Sequence, residues 1–278
     1  MEVTLIDKMG TDLTVVNAAR VSFGKKKKKF TDADARLISY LARHNHWTPF
    51  GHCSLQFHIV APVFVARQLV KHQVGLVWNE ISRRYVDSTP ECYEPEQWRL
   101  KAEDKKQGSS QEVYYNEVVT RDAFDPNIPS PGGKPYEMPG YKSLCEQAVT
   151  QYDHMINIGI CPEQARMILP QSMMTEWYWS GTLMAFARVC NLRCKPDTQE
   201  ETRVVANQID LLSKDLFPVS GGFEEVVQRD LMMDQLELSF LMRRRREEHI
   251  LELKETIKKL KRKNKKLKKK LKKYDQTS

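Results

Sequence analysis

From Cys53 to Ile59 the side chains alternate without a break: Cys53, Leu55, Phe57 and Ile59 fall on one side, Ser54, Gln56 and His58 on the other. A period of two puts every apolar residue on one face of a pleated strand. The stretch therefore predicts a half-buried strand that needs a partner layer. Pro62 then stands where proline is tolerated, at the first turn of a helix, and Val63 to His72 are helix-compatible. A similar succession recurs later. Ser172 to Ser180 is strand-like and rich in Trp and Tyr, and Thr182 to Leu192 reads as an apolar helix ending at Arg193.

The other elements fit around these two units. Met1 to Asp7 reads as a strand and lacks the pattern of a signal peptide. Thr11 to Ser22 reads as a short helix. Lys25 to Lys29 is a lysine run, expected as a solvated loop. Thr31 is a good N-cap, with Asp32 and Asp34 in the first turn and Leu37, Ile38, Leu41 and Ala42 on one apolar face. Tyr141 to Ile158 has helical periodicity through Leu144, Ala148, Tyr152, Met155 and Ile156, and Gly159 suits its end. Pro162 starts a short helix that Pro170 ends, and Asp197 with Glu200 resembles a capping box opening a helix through Val204, Val205, Ile209 and Leu212. Between 87 and 140 proline and glycine mark long connections. Only Gln111 to Ala123 there reads as a helix, and the region is expected as a loop-rich surface insertion without chemistry.

Charge separates the chain into two parts. Residues 243–278 hold 17 Lys or Arg against 5 Asp or Glu, a balance of +12, so the other 242 residues carry −4 of the total +8. The basicity belongs to a tail that seeks a polyanion or an acidic helix, not to the body. In that tail Ile250, Leu253, Ile257, Leu260, Asn264, Leu267, Leu271 and Tyr274 step by three and four, the pattern of a coiled-coil seam. Lys254, Lys261, Lys263, Lys268 and Lys270 flank it, so a parallel homodimer would set like charges face to face. A solvated helical tail is the plainer alternative. The division expected is a globular domain over 1–222 and a helical basic extension over 223–278. No run of about 18 apolar residues exists for a membrane span. Six irregularly spaced cysteines suit reduced thiols in the cytoplasm. His44, His46, His52 and His58 invite a metal, but no acidic or Cys partner accompanies them, and loop or capping roles explain them better. Cys190 and Cys194 lack a second ligand pair nearby.

Chemistry concentrates between 71 and 86. Lys71, His72 and Gln73 form a polar, partly cationic triplet; Glu80, Ser82, Arg83, Arg84 and Tyr85 supply a dense set of donors and acceptors; Gly75 between them permits a tight loop. On the preceding helix, Arg67 and Lys71 are expected one turn apart, as are Gln68 and His72. A helix end presenting several donors suits an anionic ligand. A charged solvated loop is the bland reading of the same residues.

This run resembles the flavin-dependent thymidylate synthases, whose motif is Arg-His-Arg, seven or eight residues, then Ser, with Asn-Glu before it and Arg-Tyr after it. His72, Asn79, Glu80, Ser82, Arg84 and Tyr85 match, with eight residues between Gln73 and Ser82. Both arginines of the triplet are replaced, by Lys71 and Gln73. The likeness extends to Thr48–His52, to Phe64–Gln68, to Ala165-Arg166 through Pro170, and to Asn191-Leu192-Arg193 with Asp197 to Glu201 downstream. It spans about residues 14 to 216. One helix departs: where the family often has Asn and Arg as flavin contacts, this chain offers only Arg188.

The resemblance implies an α+β fold, a central mostly antiparallel sheet flanked by helices. It implies reductive methylation of dUMP to dTMP, with 5,10-methylenetetrahydrofolate as carbon donor, FAD as hydride carrier and NADPH to re-reduce it. It also implies a homotetramer with active sites between protomers. By resemblance, dUMP meets Gln68, Lys71, Glu80, Ser82, Arg83, Arg84, Arg166 and the catalytic Arg193, and FAD meets His52, Ser54, Lys71, His72, Gln73, Glu80 and Arg188. Ser82 as a nucleophile would need a base, and none is evident, so its role is positioning. Two rivals remain: a catalytically degenerate member that binds nucleotide and flavin, and a non-catalytic coiled-coil or polyanion-binding protein.

Overall fold

The structure is a computed structural model and describes residues 1–103, 109–114, 123–125 and 136–220. In chain order, its first half holds β1 (Glu2–Met9), α1 (Asp12–Arg20), α2 (Asp32–Arg43), β2 (Ser54–Pro62), α3 (Val63–Leu69) and β3 (Leu76–Glu80). The short strands β4 (Trp98–Lys101), β5 (Ser109–Tyr114), β6 (Ala123–Asp125) and β7 (Tyr136–Met138) follow. Then come α4 (Tyr141–Asn157), α5 (Pro162–Ala165), β8 (Met174–Thr182), α6 (Leu183–Arg193) and α7 (Glu200–Leu216). The main sheet has the order β1-β2-β8-β3, antiparallel throughout.

The period of two is realised in β2. Leu55, Phe57 and Ile59 are buried, and their neighbours across β8 are Trp177 and Trp179, also buried. Helices α3 and α6 leave the ends of β2 and β8 directly, with Pro62 and Thr182 at their N-caps. The Thr182 hydroxyl accepts from Ala185 N at 3.2 Å. Phe186 of α6 meets Phe57 edge-on at 5.0 Å and Trp179 at 5.3 Å. Burying such aromatic and aliphatic side chains contributes roughly 1.5–3 kcal/mol each. On the opposite sheet face Gln56 bonds Ser180, and His58 bonds Glu176, both at 2.9 Å. No described element covers that face.

Several expectations change. The helix read over Gln111 to Ala123 is not formed where the chain is described: Ser109–Tyr114 is a strand paired with β4, and Ala123–Asp125 pairs with β7. Val113, Tyr114 and Trp98 favour a pleated ladder over a helix. The 87–140 region is also tied to the body, because Arg99 reaches Glu200 at 3.0 Å and Glu201 at 2.8 Å. Helix α3 stops at Leu69, so Lys71 and His72 lie beyond it and the helical pairings proposed for them do not occur. Gln199, not Asp197, is the N-cap of α7; Lys195 to Thr198 is taken up in a turn closed by Thr198 N to Lys195 O at 3.0 Å. In α4 the buried side chains are Cys145 and Tyr152, while Leu144 is half exposed. The heptad segment lies outside the described residues.

The lysine run is not wholly solvated either. Asp34, buried at the start of α2, accepts from Arg20 at 3.1 Å, Lys27 at 2.5 Å and Thr31 Oγ1 at 2.7 Å. Burial alone would raise its pKa; the hydrogen bonds from Lys27, Thr31 and Arg20 outweigh burial and hold it at about 2. A lowered carboxylate stabilises the fold fully above its ordinary value of 3.8 and stops doing so as pH falls through about 2. Asp34→Ala is expected to lose on the order of 1–3 kcal/mol at neutral pH. Urea unfolding at a series of pH values should show the gap to wild type shrinking only in acid.

Candidate functional site

Edge strand β3 carries both halves of the candidate site, one at each end. At its start, Gly75 adopts a left-handed φ of 76° and lies against Gly181 of β8, where an added Cβ would sit 2.5 Å from Gly75 O. The loop from Val70 to Gly75 thus joins α3 to β3 at a point with no room for a side chain.

The first half forms where α3 and α6 end. Arg193 donates through Nε to His72 Nε2 at 3.0 Å and through Nη2 to the Gln68 carbonyl at 3.2 Å. Accepting at Nε2 fixes the neutral His72 tautomer with its proton on Nδ1. Burial, and then the Arg193 charge, lower its pKa from 6.5. Arg193 keeps further N–H groups for a ligand. The Gln68 amide donates to Gln199 Oε1 at the head of α7. Lys71 and Gln73 are exposed, and their side chains have no partner among the described residues. Arg188 is exposed, its guanidinium 5.9 Å from the Trp47 ring centre. His52 is exposed at the end of the Thr48–His52 turn, and Ser54 pairs with Thr182 at this same end of the sheet. A groove of about 340 Å³ opens there on the outer sheet face between Ser54, Gly75, Val77 and Thr182.

The second half forms at the far end of β3. Glu80 accepts from Thr175 Oγ1 at 2.8 Å and from Trp78 Nε1 at 3.1 Å. Trp78 in turn stacks on Trp177 at 4.4 Å. Ser82 opens a helical turn: its carbonyl accepts from Tyr85 N at 3.0 Å and its hydroxyl from Arg84 N at 3.3 Å. Arg83 is engaged with Ser88. Arg84 pairs with Glu163 of α5 at 3.4 Å, both exposed, so the pair is weak but sets the two segments side by side. Arg166 follows α5, exposed and without a side-chain partner among the described residues.

The sequence-derived set therefore divides. Gln68, His72 and Arg193 come together; Glu80, Ser82, Arg83 and Arg84 come together with Arg166 beyond α5. The two ends of β3 are separated by four strand steps, about 13 Å. Sequence reasoning missed two supporting residues, Thr175 and Trp78, and gave no role to Gln199 within the family-like segment Asp197 to Glu201. Trp78 lies two residues from Glu80 on the same strand face, a spacing that a strand assignment would have exposed. The four histidines read in sequence do not converge. His44 Nδ1 bonds Tyr40 O at 2.9 Å and His58 bonds Glu176. Among the described residues no group of three or more His, Cys, Asp or Glu is placed to hold a metal ion, and no helix is long and apolar enough to cross a membrane.

A pH dependence follows from His72. Unfolded, it takes a proton near 6.5; folded, only at lower pH. Between those values the unfolded chain binds more protons, so stability falls as pH drops below 6.5. His72→Gln is expected to show a smaller loss between about pH 7.5 and about pH 5.5, the range over which an ordinary histidine titrates. Urea midpoints at both pH values check this.

Fold and site together describe an α+β protein with arginines and a carboxylate gathered at the two ends of one edge strand. The family profile described as thymidylate synthase complementing protein matches residues 4–219. A Thermus thermophilus protein named flavin-dependent thymidylate synthase is 35% identical over 240 residues, 86% of this chain and 81% of that protein. One of the same name from Kosmotoga olearia is 34% identical, over 78% of this chain and 87% of its own length. The crystal structure of a UMP/dUMP methylase PolB from Streptomyces cacaoi bound with 5-Br dUMP superposes with a TM-score of 0.62 at 27% identity, covering 79% of this chain and 92% of that one. The chain belongs to the thymidylate synthase complementing protein family, the flavin-dependent thymidylate synthases.

Proposed function

We propose that this chain converts dUMP to dTMP by reductive methylation, with methylenetetrahydrofolate as carbon donor, FAD as hydride carrier and NADPH as the source of reducing equivalents. The observation that carries the reading is the bond between Arg193 and His72, which couples the residue assigned to uracil to the residue assigned to flavin. Arg84 and Arg166 offer forked donors to a phosphate. Arg193 meets the uracil edge and stabilises negative charge developing on the ring, an effect that preorganised donors deliver without reorganisation. Ser82 and Arg83 shape the turn that sets Arg84, and Gln68 is steadied by Gln199. Lys71 contributes a point charge to the same ligand.

The residues present fit a flavin. Lys71 and Gln73 have uncommitted donors, His72 has a defined tautomer, and Ser54 borders the groove at that end of the sheet, with His52 two residues before it. Glu80 and Arg188 complete the set. When bound, the flavin supplies hydride chemistry that no side chain here provides. A homotetramer with active sites between protomers is supported by the separation of the two half-sites along β3, since a second copy would complete each. Free thiols at all six cysteines support a reducing, cytoplasmic setting. The basic tail is assigned to a polyanion or an acidic helix.

Release of label from C5 of deuterated or tritiated dUMP tests the reaction, and yellow protein that releases flavin on denaturation tests the cofactor. The replaced triplet favours one second reading, a member that binds ligand without turning over. Flavin bound with no C5 exchange would establish it.

Gln73 offers no charge where the family motif has a guanidinium fork. Gln73→Arg is expected to tighten flavin binding by up to about 1.5–3 kcal/mol, less at high salt. Titration of apo-protein at two salt concentrations measures this; equal or weaker binding would take position 73 away from the flavin.

A further inference from the structure

Five consecutive lysines would spread out in a free loop, yet here the run is anchored at its centre. Asn17 holds the Lys27 backbone at both groups: its Oδ1 accepts from Lys27 N at 2.7 Å and its Nδ2 donates to Lys27 O at 3.1 Å. Lys27 Nζ is held by Asp34 at 2.5 Å and Thr31 Oγ1 at 3.1 Å. Lys25, Lys26, Lys28 and Lys29 are exposed, and among the described residues none of them has an ion pair or a side-chain hydrogen bond. Alongside, Phe23 is 77% exposed and Phe30 38%.

Neither feature helps the fold. Four like charges held close repel one another, and the Asn17 and Asp34 anchors prevent the loop from relaxing. The Phe23 ring, left mostly in water, gains little from burial. Both features gain from a ligand that carries phosphates and planar bases together. Lysine ammonium groups neutralise phosphates as point charges, and exposed rings stack on unpaired bases.

We propose that Lys25, Lys26, Lys28 and Lys29, with Phe23 and Phe30, form a binding site for single-stranded nucleic acid, preorganised by the Lys27 anchor. None of these residues is among those assigned to dUMP or flavin, and the proposal does not depend on that assignment. The loop backbone is already ordered in the free protein by the Asn17 anchor, so binding costs mainly the freedom of the lysine side chains.

The test uses the full chain and a labelled oligothymidylate, followed by fluorescence anisotropy at several salt concentrations. The basic segment 243–278 is present in both proteins and contributes equally to each. The combined variant Lys25→Ala, Lys26→Ala, Lys28→Ala, Lys29→Ala keeps Asn17, Lys27 and Asp34, and its unfolding temperature serves as the control. Each phosphate contact removed takes about 0.7 from the slope of log K against log salt, so the slope should flatten by about 3. Phe23→Ala should weaken binding by about tenfold at an unchanged slope, in line with the loss of one stacked base. An unchanged slope and affinity in the lysine variant would overturn the proposal. So would lost binding to phosphatidylserine vesicles with oligonucleotide binding intact, which would make the loop a lipid contact.

Discussion

Arg193→Ala should lower turnover by about a hundred- to a thousandfold, the loss seen when one preorganised donor to a developing anion is removed. The variant should still hold flavin, because His72 remains tied to the α3 end by its own N–H, 3.0 Å from Leu69 O. Arg193→Lys separates charge from shape: lysine keeps the charge but cannot reach His72 and the Gln68 carbonyl together as a planar fork. It should fall between wild type and alanine. The assays are release of label from C5 of dUMP for the chemistry and flavin absorbance for the cofactor. Turnover of the alanine variant within tenfold of wild type would remove Arg193 from the chemistry.

Gly181→Ala should damage both half-sites at once, although neither half-site draws a ligand contact from Gly181. Its new Cβ would lie 2.5 Å from Gly75 O and 3.2 Å from Leu76 Cα, and backbone cannot yield as a flexible side chain can. The start of β3 must move, carrying Lys71 to Gln73 on one side and Glu80 on the other. A destabilisation of roughly 1–3 kcal/mol, typical of overpacking, is expected. A drop of at least about tenfold in both dUMP and flavin affinity should accompany it, since about 1.4 kcal/mol of displaced contacts is enough. Gly51→Ala is the matched control, with its nearest neighbour, Trp47 Cζ3, at 3.9 Å. Equal ligand affinities in the two variants would show that β3 does not hold the sites in register.

Local periodicity made part of this fold legible. The alternation of Cys53 to Ile59 gave β2, Pro62 the start of α3, and Thr31 with its acidic first turn the start of α2. The chemical run was legible too, but only as a list: Gln68, His72, Glu80, Ser82, Arg84 and Arg193 could be named without any indication of which meet. The Arg193–His72 bond spans 121 residues and the Thr175–Glu80 bond 95, and nothing in the chain encodes such distances directly. Thr175 looked like an ordinary polar residue, and Gln199, though part of the family-like segment, gave no hint of Gln68, because their partners come from other elements. The short strands of the 87–140 region were lost for a different reason: they run only three to six residues, and Gln111 and Glu112 suit a helix while Val113 and Tyr114 suit a ladder. Asp34 was placed correctly in a first turn, but its burial beneath Lys27 was invisible because a lysine run carries no pattern to mark one member as paired.

The order of the sheet also sets a timetable. Among the described residues β3 bonds only to β8 in the sheet, and Leu76 meets Gly181, 105 positions later. As the chain emerges from the ribosome, β1 and β2 can pair at once, while the strand bearing Glu80 must wait until Thr182 has been made. Closing so wide a loop is slow compared with forming a hairpin. During that interval Val77 and Trp78 are open to any other unpaired edge. The strand between the two proposed half-sites is therefore among the last parts of the sheet to find its place, and a nascent chain interrupted before β8 would own the motif without the means to use it.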